Sequence, residues 1–158
     1  MKGDSTKPNV MSLNHVFTTD WETFCRSLWR KYPTSRLSMV KSERVVGIDM
    51  EDGDLVIKKI KESEMLGSKA VTMSTFHFKA DSKQILFHEG FIGGSPRFRR
   101  VAKLINPEEW GFYRYEEPNK VLYTKIVHDT LFPKFLIKKS FAAAACWLGK
   151  RFGKVDAC

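Results

Sequence analysis

A chain of 158 residues that is 42% hydrophobic has enough apolar side chain to bury one continuous core and too little length to suggest two domains. Lys and Arg number 27 against 18 Asp and Glu, and the net charge of +9 favours anionic partners: phospholipid head groups, nucleic acid or acidic protein. The three cysteines, Cys25, Cys146 and Cys158, form no C-x-x-C pair and have no histidine at ligand spacing, which argues against a structural zinc site.

Residues 1–11 are polar and aperiodic and read as a loose tail without the apolar stretch of a signal peptide. Ser12 to Thr18 has the composition of a short strand. A helix follows, with Thr19 and Glu22 at capping-box spacing and Asp20 as the competing N-cap. Trp21, Phe24, Cys25, Leu28 and Trp29 recur at three- and four-residue steps and form its buried stripe. Pro33 disfavours helical dihedrals at Tyr32, so the helix is expected to end by Lys31.

From residue 44 the apolar period changes to two. RVVGIDM and DLVIKKIK flank Asp52-Gly53, a pair suited to a two-residue hairpin turn, and this register puts Val46, Ile48 and Met50 on one face with Leu55, Ile57 and Lys59. A second hairpin, VTMSTFHFKAD with SKQILFHEGF, turns near Asp81-Ser82. It places Phe76, Phe78, Ile85 and Phe87 on one face, with Glu89 continuing their row, and His77 and Leu86 among the residues on the other. RFRRVAKLI (97–105) fits a basic strand or a short helix. WGFYRYE and KVLYTKIVH form a third hairpin across Glu117-Pro118-Asn119, and helical spacing returns from Phe132 to about Gly149 or Gly153. The longest apolar run, FAAAACWL, is far shorter than the ~20 residues needed to span a bilayer. The order predicts an α+β fold, a curved antiparallel sheet of about six to seven strands against a C-terminal helix.

Catalytic and cofactor signatures are weak. No histidine stands near a serine or cysteine in a nucleophile context, Gly93-Gly94 lacks the strand-loop-helix setting of a phosphate loop, and Glu108-Glu109 and Glu116-Glu117 read as solvated turn charges. No catalytic residue, metal ligand or cofactor is assigned. Cys25 and Cys146, among apolar neighbours, read as small core residues. The more informative pattern is cations at the margin of apolar surface: Lys31 closing the first helix, Lys59 and Lys61 at the end of the first hairpin's apolar row, and Lys138 and Lys139 in the last helix. Such lysines either snorkel to water or meet an anion. Together they suit a pocket taking an apolar tail and an anionic head.

The stretches HVFTTDW (15–21), RKYP (30–33), VVGID (45–49), DGDLVIKKI (52–60) and IKKSFAAAACWL (137–148) together resemble the PRELI-like (slowmo/Ups) family of mitochondrial lipid-transfer proteins, over about residues 12–152. The resemblance implies a helix-grip (START-like) fold, with the sheet wrapped around the C-terminal helix and enclosing a phospholipid cavity, in a PRELI-like lipid-binding domain at 12–152 followed by a tail at 153–158. It implies a non-enzymatic carrier of phosphatidic acid or phosphatidylserine in the mitochondrial intermembrane space, working at the mitochondrial membrane surface with a small helical twin-CX9C partner. It places Lys31, Lys59, Lys61, Lys138 and Lys139 at the lipid head group or membrane, and Val46, Ile48, Leu55, Ile57, Phe76, Phe78, Ile85 and Phe87 around the cavity. The chain departs from the family between the third and fourth strands, where MLGSK (65–69) stands in place of a longer Leu-Pro-containing lid. Two alternatives remain: a nucleic-acid-binding module using RFRR and WGFYRY, which is the less expected partner, and a family member that binds partner or membrane without moving lipid.

Overall fold

The computed structural model describes residues 10–29, 40–65, 67–94, 96, 108–128 and 134–150. The elements in chain order are β1 (Val10–Thr18), α1 (Trp21–Trp29), β2 (Val40–Glu51), β3 (Asp54–Met65), β4 (Ser68–Lys79), β5 (Gln84–Gly94), β6 (Glu109–Glu116), β7 (Lys120–His128) and α2 (Lys134–Lys150). The seven strands form one curved antiparallel sheet in the order β1-β7-β6-β5-β4-β3-β2. Sequential hairpins account for every neighbour except β1, which crosses to pair with β7, placing Met11 opposite Val127 and Phe17 opposite Val121.

The turns carry the chemistry their shapes require. Glu51 pairs with Asp54, and the two residues between them, Asp52 (φ 50°) and Gly53 (φ 84°), hold the positive dihedrals that match a hairpin turn to strand twist. Lys79 pairs with Gln84 across a four-residue loop that includes Asp81-Ser82. The third hairpin closes through a cis Glu117-Pro118 bond and Asn119 at φ 51°. Its tip is tied to α1, because the Thr19 amide donates to the Asn119 carbonyl at 2.9 Å.

The cap of α1 is Asp20. Its carboxylate accepts from the Thr23 amide at 2.8 Å and the Thr23 hydroxyl at 2.7 Å, which satisfies an otherwise orphaned amide of the first turn. Thr19, in the competing reading, is buried before the helix. Four residues of the α1 stripe pack as their spacing predicts: Phe24 and Leu28 are buried, with Trp21 and Cys25 packed against the same cluster, while the Trp29 side chain lies outside the described ones. Burial pushes the Cys25 thiol up to about 11. The expected stop at Tyr32-Pro33 lies outside the described residues, as do RFRRVAKLI and the outer tails.

Helix α2 presents Ile137, Phe141, Ala145 and Leu148 to the sheet, a stripe at four- and three-residue steps. Its first half covers Met11, Leu13 and Val127. Its second half joins Phe17, Phe24, Ile85, Phe87, Tyr113 and Tyr123 in the main core. Cys146, which reads as a plain core residue in the sequence, is disulfide-bonded and only half-buried. No helix of the described residues is long and apolar enough to cross a membrane.

Candidate functional site

Alternation along the strands sends one set of side chains to the concave face, under α1 and α2. Near α1 this face is apolar and aromatic: Phe17, Val121, Tyr123, Tyr113, Ile85, Phe78 and Leu55 occupy adjoining register positions. One row further, Phe76 and Phe87 are opposite each other, and Phe87 lies across Gly111. A Cβ at Gly111 would come within 2.4 Å of both the Phe87 ring and the Thr124 carbonyl, so glycine here is a packing requirement.

The next rows are of different chemistry. Positions that the pleat turns inward carry Lys59, Ser74, Glu89 and Glu109 in one register row and Lys61 and Thr72 in the following one. The Lys59 ammonium donates to Glu43 at 2.8 Å with 8% and 14% of the two side chains exposed; Lys61 pairs with Glu89, and Lys125 with Glu109 at 2.8 Å. Thr72 and Ser74 are buried between them. Burial alone would lower the Lys125 pKa, but the charge and hydrogen bond of Glu109, together with Glu89, outweigh it and the net shift is upward. Glu89, ion-paired with Lys61, is also near enough for its charge to favour the Lys125 ammonium. Desolvating ion pairs is expensive, and apolar residues at the same positions would hold the sheet at least as well. A charged, internally balanced band on the inner face therefore points to a task other than stability.

The sequence-derived site residues meet different fates. Lys59 and Lys61 stand on the concave face as the period predicts, and each meets a carboxylate. Lys138 and Lys139 are exposed on α2 and make no ion pair with the band, and Lys31 lies outside the described residues. Ile57, Ile85 and Phe87 are buried, the latter two inside the main core, with Phe76 and Phe78 packed against it and Leu55 half-buried beside them. Ile48 (64% exposed) and Met50 (66%) sit opposite Ile57 and Leu55 on edge strand β2 as open apolar surface. Val46 is displaced: a bulge between Val45 and Gly47 leaves Val45, not Val46, opposite Lys59.

Glu109 is a correction of another kind. It reads as a turn charge in sequence, yet it begins β6, faces inward and is 17% exposed against Lys125. Glu43, Lys125 and Thr72 were also missed. The available signal was the odd position of each within its strand's inward row. Of the histidines, His77 pairs with Asp54 at 3.1 Å and the His88 ring lies tilted against Trp110 with centroids 4.0 Å apart, so the two have separate partners on the convex face. His15 faces inward, and burial lowers its pKa. In WGFYRY, Tyr113 is buried core while Trp110 is exposed on the other face, which divides the aromatic row. Among the described residues no group of three or more His, Cys, Asp or Glu could hold a metal ion.

No protein-family model matches the chain, and no curated protein matches it. Solved structures do. The chain is similar to TTHA0849 from Thermus thermophilus, at 13% identity and TM-score 0.53 over 90% of this chain and 96% of that one. It is similar to Ara h 8.0201 at 10% identity and TM-score 0.59, over 92% and 95% of the two chains. It is also similar to the Zhui aromatase/cyclase from Streptomyces sp. R1128, at 7% identity and TM-score 0.51, over 91% and 88%. At these identities the likeness is one of fold, consistent with a helix-grip arrangement.

Proposed function

We propose that the protein binds one amphipathic lipid along its concave face and carries it without changing it chemically. The observation that carries this reading is the change of chemistry along that face, from Leu55, Ile57, Phe76 and Phe78 to the Lys59–Glu43, Lys61–Glu89 and Lys125–Glu109 pairs. Apolar chains gain about 25 cal/mol for each Å² buried against such rows. A polar head at the other end finds buried donors and acceptors already oriented.

The finer reading extends the sequence resemblance: the cargo is phosphatidic acid or phosphatidylserine, moved between mitochondrial membranes in the intermembrane space, with a small helical twin-CX9C partner. Ion pairing changes how such a head is held. With Lys59 and Lys61 already facing carboxylates, an anionic phosphate enters a network and shares its cations. Zhui is an aromatase/cyclase, but a shared fold does not carry a reaction, and here each lysine of the band is engaged by a carboxylate.

Transfer of labelled phosphatidic acid or phosphatidylserine between donor and acceptor vesicles tests the reading. Lys59→Glu, which sets a second carboxylate beside Glu43, is expected to reduce extraction of acidic lipid severalfold while the protein stays folded by circular dichroism. Equal extraction by wild type and variant removes Lys59 from the site, and no transfer by wild type removes the carrier.

A further inference from the structure

The exposed side of α2 carries a feature that the concave face does not explain. Lys134, Lys138 and Lys139 are exposed in its opening turns, and between them Phe135 is 68% exposed, the most open of the large apolar side chains described. No acidic residue occurs anywhere in the helix. On the opposite side, Ile137 and Phe141 are packed against Met11, Leu13 and Val127. The helix is therefore anchored to the sheet through one stripe, with Phe135 and Lys139 on its far side and Lys134 and Lys138 exposed along the flank between.

We propose that these turns are a docking surface for an anionic lipid bilayer, with Phe135 entering the acyl boundary and Lys134, Lys138 and Lys139 resting among the head groups. A phenyl ring in water loses apolar hydration when it enters that boundary, and flexible lysine stems let the ammonium groups stay at the head-group level. Charge selects the bilayer: three cations with no carboxylate on the helix match an anionic surface and have no counterpart on a neutral one.

The surface is also positioned. Ile137 covers Val127, which stands opposite both Met11 and Glu109, and Glu109 begins the register row that runs through Glu89 and Ser74 to Lys59. The opening of α2 thus lies at the same edge of the sheet as the ion-paired band. A bilayer docked there faces the polar end of the concave surface, and the aromatic end, under α1, points away. Docking stands on the helix alone; its use as the port through which cargo passes rests on the lipid-binding reading above.

Co-sedimentation of the full chain with vesicles tests the proposal. Wild type is expected to partition onto vesicles of phosphatidylcholine mixed with phosphatidylserine, to lose binding as salt rises, and to leave pure phosphatidylcholine vesicles largely unoccupied. Replacing the three lysines together by Gln should lower partitioning on the order of 100-fold. Phe135→Ala should lower it roughly tenfold and leave the salt dependence intact. Phe135→Ala keeps every inward-facing residue and every lysine, so native mass spectrometry should find bound lipid in it as in wild type. That readout separates a failure of docking from a failure of cargo binding. Partitioning unchanged in both variants, or equal on neutral and anionic vesicles, overturns the proposal. So does a charge-dependent preference for an oligonucleotide over the anionic vesicles.

Discussion

Lys59 is the residue on which the proposed lipid site depends most. It is 6% exposed, its ammonium is held by Glu43, and its charge lies 5.9 Å from the centre of the Phe76 ring. Removing it alone strands a carboxylate in a desolvated place, so Lys59→Met is expected to cost about 3 kcal/mol in urea unfolding. Adding Glu43→Leu should return stability to near wild type while leaving lipid extraction impaired. A double variant that extracts lipid normally would make the pair structural only. Gly111 makes a separate claim about the aromatic end. Gly111→Ala must push the Phe87 ring or the β7 backbone aside, at an expected cost of about 1–3 kcal/mol by thermal or chemical unfolding. At the surface, the Asp20 cap holds its carboxyl below the usual value of 3.8, first through the Thr23 amide. The stabilisation is present above that value and is lost as pH falls through the lowered one. Asp20→Ala should therefore be less stable than wild type at neutral pH, with the difference closing in acid.

At the scale of elements, the hairpins were the most legible part of the chain because the information in them is local. Asp52-Gly53 specifies a turn, the turn sets the register, and the register puts Lys59 inside. The same logic placed Glu89 in the phenylalanine row of β5. Legibility failed where an element depends on something distant. The bulge in β2 exchanges Val46 for Val45 opposite Lys59, and alternation by itself gives no sign of it. Glu109 and Lys125 come from adjacent strands and meet diagonally, since Lys125 stands opposite Gly111. Each alone resembles a surface charge. The crossing of β1 to β7 is equally silent, because nothing in Ser12 to Thr18 names its neighbour. Between β3 and β4 the short connection read from MLGSK is real, with Met65 opposite Ser68 and Gly67 at φ 72°.

For the whole molecule, the distribution of charge matters more than its sum. The three inward pairs cancel, whereas Lys134, Lys138 and Lys139 at the opening of α2 stand exposed with no acidic residue on the helix. The concave face is thus balanced inside while the opening of α2 is attractive to anions, a division suited to the proposed meeting with an acidic membrane and withdrawal of an amphipathic molecule from it. The central claim is that this face holds a lipid. It is tested most directly by native mass spectrometry of the protein after incubation with vesicles of mixed phospholipids. The account predicts a one-to-one adduct with the mass of a phospholipid, enriched in acidic head groups and depleted in Lys59→Glu. A spectrum showing only the bare chain, with vesicles present and the protein folded, would contradict it.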